Sequence, residues 1–114
     1  MAPLVFFKAL ADDTRLKCLL LIHAEAELCV CELMAALVES QPKISRHLAQ
    51  LKQQGVLADR RQGQWVFYRL ADDLPSWCRK VLSEVADNQP EFIQANTVNL
   101  CAMGDRPARA KRCC

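Results

Sequence analysis

The chain has 114 residues, 52 % of them hydrophobic and 25 % charged, with a formal net charge of +2, which bounds it to one globular domain with a modest core. Its longest apolar stretch, CLLLI at 18–22, is far too short to cross a bilayer. The N-terminus lacks the charged-then-apolar build of a signal peptide, so a cytoplasmic protein with no membrane partner is expected. Seven cysteines, an odd number without an export signal, argue against a disulfide scaffold. They leave metal or metalloid binding, redox sensing and plain burial open.

In chain order, PLVFFKALAD (3–12) reads as a short, strongly apolar first helix. Asp12 or Asp13 can cap the next, DTRLKCLLLIHAEA, in which Leu16, Leu19, Leu20 and His23 recur at helical spacing. A third helix is expected over ELCVCELMAALVES, with Leu28, Leu33 and Leu37 on its apolar face. It holds an oddity, because Cys29 and Cys31 stand two positions apart and residues i and i+2 of a helix point to nearly opposite sides. Either they are unrelated small apolar residues, or something draws both sulfurs together and distorts the helix. In SQPKISRHLAQLKQQG, Ser40 is a plausible N-cap, Pro42 fits the first turn, Ile44, Leu48 and Leu51 form a stripe, and Gly55 supplies a left-handed stop.

After Gly55 the period changes. VLADRRQGQWVFYRL alternates Trp65, Phe67 and Arg69 against Val66, Tyr68 and Leu70 beyond a turn at RQGQ, which predicts a two-stranded hairpin with a basic tip. LPSWCRKVLSEVADNQ (74–89) returns to helical spacing through Leu74, Trp77, Val81, Leu82 and Val85. Residues 99–114 are small, charged and cysteine-bearing and read as a mobile tail, leaving 1–98 as the domain.

The small net charge hides a pattern. Residues 43–70 hold Lys43, Arg46, Lys52, Arg60, Arg61 and Arg69 against Asp59 alone, a net +5, between two segments that are each net −3. Two short helices, the second basic and Gly-terminated, followed at once by a hairpin, describe a winged helix-turn-helix: mainly α with a β-hairpin wing, in the order ααααββα. Opposite the Ile44/Leu48/Leu51 stripe, the second helix turns Lys43, Arg46, Ala49, Gln50 and Gln53 outward. Such a face suits a major groove, with cations for phosphate and Arg, Gln or Lys for base edges. The candidate DNA-contacting set is Gln41, Lys43, Ser45, Arg46 and Gln50, with Arg60, Arg61, Gln62 and Gln64 at the wing. The bland alternative is a small domain with a solvated basic helix; charge, turn chemistry and element order together favour DNA.

FKALADDTRLKCLLLI, ELCVCELMAAL and SQPKISRHLAQLKQQGVLADRRQGQWVFYRL together resemble the ArsR/SmtB family of metal-responsive repressors over about residues 4–90. ELCVCEL is similar to the arsenic-sensing branch in particular. The resemblance implies a homodimer held by the first and last helices, bound to an inverted-repeat operator in double-stranded DNA and released when inducer binds. It also implies As(III) or Sb(III) as inducer, held by cysteine thiolates in a C-V-C-x-x-C pattern. Cys29 and Cys31 match the first two positions, but the third is Met34, whose thioether cannot become a thiolate. The candidate third ligands are Cys18, Cys101, Cys113 and Cys114, from either subunit; otherwise water or a small thiol completes a two-thiolate site. Sulfurs sharing one atom must lie roughly 3.5–4 Å apart, so binding both is expected to unwind the first turn of their helix and shift residues 41–54. Glu27 is a candidate cap for that helix.

Other sensor chemistries fit less well. Zinc-sensing relatives use acids and histidines on the last helix, yet 74–89 has no His. A cadmium- or lead-responsive repressor shares ELCVC but adds cysteines on an N-terminal arm, and only Met1 to Leu4 precede the first helix here. A thiol redox repressor using Cys101, Cys113 or Cys114 is the third reading. His23 is expected to pack at its helix edge, His47 to make a helix-fixing hydrogen bond, and Cys18 and Cys78 to pack. An enzyme is not expected, because neither C-x-x-C after a strand nor a C-x5-R anion loop occurs.

Overall fold

A computed structural model describes residues 1–104. Helix α1 (Pro3–Leu10) leads into α2 (Asp13–Glu25), which Asp12 caps by accepting the Arg15 backbone N–H at 3.0 Å. A two-residue strand, β1 (Leu28–Cys29), precedes α3 (Val30–Leu37). Then come α4 (Gln41–Gln53), the hairpin β2 (Leu57–Gln62) and β3 (Trp65–Leu70), α5 (Ser76–Asn88), a 3₁₀ turn (Pro90–Ile93) and α6 (Gln94–Cys101). This is the expected winged helix-turn-helix with two additions, β1 and α6.

The core follows the apolar periodicity. Leu19 and Leu20 of α2, Leu33 of α3, Ile44, Leu48 and Leu51 of α4 and Leu82 of α5 are all buried in one cluster. Ser40 is the N-cap of α4 with Pro42 in its first turn, although its side chain makes no capping bond. Gly55 stops that helix at φ +83°, where an L-residue would be strained. The turn between α3 and α4 passes through Val38, left-handed at φ 55° and 77 % exposed, a costly setting for a β-branched residue.

Two expectations need revision. The third helix starts at Val30 rather than Glu27, because Leu28 and Cys29 pair antiparallel with Tyr68 and Phe67 as a third strand, in the order β1-β3-β2. The expected boundary at residue 98 falls inside α6, whose Leu100 is 2 % exposed in the core. Helix α6 packs on α3, and the Asn96 and Asn99 side-chain amides both donate to the Ala36 carbonyl, at 3.0 and 3.1 Å. That carbonyl is in the last turn of α3, where the helix itself supplies no partner. The amphipathic signal is weak over 90–101 because the helix is held by these amides and Leu100 rather than by an apolar stripe.

Leu100→Ala should therefore destabilise the fold by about 2–5 kcal/mol, the usual cost of a truncated core leucine. Urea denaturation reads this directly, and a change within about 0.5 kcal/mol would return Leu100 to a peripheral tail.

Candidate inducer and nucleic-acid sites

The thiol site is built where strand becomes helix. Cys29 ends β1 and is the N-cap of α3, with extended backbone (φ −89°, ψ 168°). Its backbone N–H donates to Glu32 Oε1 at 2.9 Å, and its side chain faces the N–H of Glu32, making a reciprocal capping box. Cysteine here occupies the position usually held by Ser or Thr. Cys29-x-x-Glu32 is the capping-box spacing, so Glu32, which is 1 % exposed, was legible once sulfur is allowed in place of oxygen. Glu27, the expected cap, instead receives Arg60: the Arg60 guanidinium donates to both carboxylate oxygens, at 2.7 and 2.5 Å.

The break at Cys29 answers the spacing problem. Since Cys29 is extended and Cys31 is in the first helical turn, the two are not on opposite sides of a regular helix. They line one cavity of about 200 Å³, together with Val30, Gln41, Gln64, Trp65 and Val66. Cys29 is buried and Cys31 half-buried. The positive end of α3 lies at this turn and favours negative charge there. The cavity thus adjoins both the first residue of α4 and the hairpin tip. Trp65 Nε1 is shielded from solvent and has no protein hydrogen-bond partner among the described residues.

The candidate third sulfurs separate. Cys18 is fully buried in α2, and burial, aided by the Asp12 charge, pushes its thiol up to about 12, so it stays a neutral packing residue at physiological pH. Burial also raises the Cys78 thiol, which packs in the core. Cys101 is exposed on α6. Cys113 and Cys114 lie outside the described residues. Met34 packs against the core. Among the described residues no group of three or more Cys, His, Asp or Glu is placed to hold a metal ion.

The candidate DNA face is present as a surface. Gln41, Arg46, Ala49, Gln50 and Gln53 are exposed on α4, with Lys43 and Ser45 half-exposed; Arg60, Arg61, Gln62 and Gln64 are exposed on the hairpin. Much of it is internally tied. Lys43 pairs with Glu39 at 3.0 Å, Lys52 with Asp59 at 3.0 Å, and Arg69 with Asp72 at 3.5 Å. Gln41 donates to Ser45, and Arg15 reaches Gln50 at 3.4 Å. Among the described residues Arg46 and Arg61 make no ion pair. Arg60 departs most from the expected role, since besides gripping Glu27 it lies over the Phe67 ring at 4.6 Å.

His47 does not make the expected helix-fixing bond. Its Nδ1 is buried without a hydrogen-bond partner among the described residues, and Nε2 sits 3.9 Å from Asp12. Burial lowers the His47 pKa, opposed by the Asp12 charge and aided by Arg15, Arg46 and Lys43. His23 is half-buried at the end of α2, as expected.

A buried-helix core, a basic second helix and a hairpin wing beside it define a winged-helix regulator. The model of the bacterial regulatory protein arsR family matches residues 12–59. The chain is 51 % identical over 113 residues to the arsenic resistance transcriptional regulator ArsR1 of Pseudomonas putida, covering 99 % of this chain and 88 % of that one. It is 50 % identical over 100 residues to the arsenical resistance operon repressor of Escherichia coli, covering 88 % and 86 %. The crystal structure of the AntR antimony-specific transcriptional repressor superposes with a TM-score of 0.66 at 30 % identity, over 80 % and 79 % of the two chains. The chain belongs to the ArsR family of transcriptional regulators, which are not enzymes.

The depressed His47 pKa carries a pH signature. The folded state favours neutral imidazole, so this stability is present above the ordinary value of about 6.5 and is lost as pH falls through the lower folded value. The Asp12 carboxyl is also lowered, chiefly by the Arg15 backbone N–H, and its contribution is lost only further down, below about pH 4. Wild-type urea midpoints should drop from pH 7 to pH 5, and His47→Asn should flatten that drop. An identical drop in the variant would mean His47 is not the group responsible.

Proposed function

We propose that this protein is a homodimeric, cytoplasmic repressor of an arsenic-resistance operon, released from its operator when arsenite or antimonite binds Cys29 and Cys31. The observation that carries the reading is the shared cavity: both thiols open onto one space whose other walls belong to α4 and the wing. Trivalent arsenic binds thiols by exchanging hydroxide for sulfur, each thiol's proton leaving with that hydroxide as water. The residues present fit such a ligand as a two-thiolate site. A third donor comes from solvent, a small thiol, Cys101, or the cysteines beyond the described residues.

On the protein side, Cys29 cannot serve two roles. Its side chain caps the Glu32 N–H in the structure, so engaging it with inducer withdraws a cap at the start of α3. Loss of an N-cap weakens the first turn by about 1 kcal/mol, and that turn faces Gln41 at the start of α4. Arg46, Gln50 and Lys43 read the major groove, and Arg61 approaches the adjacent backbone. Leu4, Val5 and Phe7 are exposed on α1, and Val98 on α6. Apolar side chains there support self-association through the first and last helices.

Operator binding by fluorescence anisotropy, under reductant, tests both halves. Arg46→Ala should weaken operator affinity by about ten-fold or more and reduce the salt slope by about one; unchanged affinity would move the DNA face elsewhere. Cys29→Ser should bind operator normally yet resist release by arsenite. A fully inducible variant would displace the sensor, and release of wild type by cadmium or oxidant alone would replace arsenic as the inducer. A chain ending at Gly104 that still responds would make Cys113 and Cys114 dispensable.

A further inference from the structure

The sheet carries a connection that the DNA-contact expectation for Arg60 does not use. Cys29 pairs with Phe67 across β1 and β3, and Phe67 pairs with Arg60 across β3 and β2. Directly opposed residues of neighbouring strands share a face. Cys29, Phe67 and Arg60 therefore form one row from the thiol site to the wing. The Arg60 side chain turns back along this row, lies over the Phe67 ring at 4.6 Å and grips both oxygens of Glu27. Glu27 immediately precedes the strand, two residues before Cys29.

The backbone adds a second, independent observation. Ala26, immediately before Glu27, has φ 73° and ψ −40°, a region that costs a residue with a Cβ of order 1–3 kcal/mol and persists only when its surroundings hold it. Directly after it come the Glu27–Arg60 contact and the β1 pairing. The strained joint thus connects the end of α2 to the segment that bears the thiols.

We propose that Glu27 and Arg60 are positioning residues that couple the thiol site to the wing: their two-pronged ion pair fixes the wing to β1, so that displacement of Cys29 is transmitted to β2. This rests on the proposed function for Cys29 and Cys31. In this role Arg60 acts through Glu27 rather than on phosphate. A bidentate, partly shielded pair suits it, since Lys can replace Arg as a point charge toward DNA but not as a planar fork.

The experiment compares wild type, Glu27→Gln and Arg60→Lys as full-length chains, measuring operator affinity with and without arsenite, arsenite binding without DNA, and wing hydrogen exchange without either. Both variants should bind arsenite and inducer-free operator within about three-fold of wild type, with an unchanged salt slope, as expected when a surface pair is lost. The factor by which arsenite weakens operator binding should fall about ten-fold, a typical coupling energy. Amides of 57–62 should exchange faster in Glu27→Gln.

An unchanged arsenite factor in both variants, or unchanged exchange, overturns the proposal. If instead Glu27→Gln tightens operator binding while the arsenite factor stays, Arg60 is a phosphate contact and the latch is wrong. Failure of wild type to release with arsenite would overturn the inducer reading, and the latch with it. Release of wild type with unaltered variants overturns the latch alone.

Discussion

The change from extended to helical backbone at Cys29 is the constraint on which the rest of the molecule turns. One residue there closes a strand against Phe67, caps α3 through the Glu32 box, and presents sulfur to the cavity beside Cys31. Each role fixes a different neighbour. The strand pairing positions Glu27 and, across the sheet, Arg60; the cap sets the first turn of α3; and α3 sets the angle at which α4 leaves. A regular helix from Glu27 onward would have separated the thiols and removed the third strand.

Electrostatics refine the picture of the basic face. The stretch 43–70 carries six cations against one acid, yet in the folded chain Lys43, Lys52, Arg60 and Arg69 each meet a carboxylate. Three of those carboxylates, Glu27, Glu39 and Asp72, come from outside the basic stretch. Sequence counting therefore overstates the charge that meets DNA without rearrangement. Surface pairs of this kind are weak, so the pair with Glu39 does not by itself withdraw Lys43 from a phosphate. Arg60 differs, because its pair is bidentate and backed by an aromatic ring.

Much of the architecture was legible from periodicity and punctuation. The α4 stripe, Ser40, Pro42 and Gly55 located the second helix of the motif, and the shift to alternation after Gly55 located the wing. What escaped was held by features that periodicity does not register. A two-residue strand has no alternation to detect, and β1 exists because β3 offers it an edge. Helix α6 depends on Asn96 and Asn99 finding the Ala36 carbonyl sixty residues upstream, which local sequence cannot show. The thiol pair was visible as an anomaly, but its resolution required knowing that the helix had not yet begun.

A ligand shifts a conformational equilibrium only by its differential affinity for the two states. Tight binding to thiols alone would leave the operator complex untouched. On the function proposed above, the differential would arise because Cys29 is already employed: its sulfur serves the Glu32 N–H, and an inducer that needs that sulfur would favour an arrangement that has released it. The same logic explains why a fully exposed cysteine pair would make a poor sensor despite easier access. Binding there would compete with nothing. With one thiol in a cap and both lining a cavity walled by the wing, metalloid affinity would become, on that proposal, a preference between structures, and the short row Cys29–Phe67–Arg60 would keep that preference next to the hairpin.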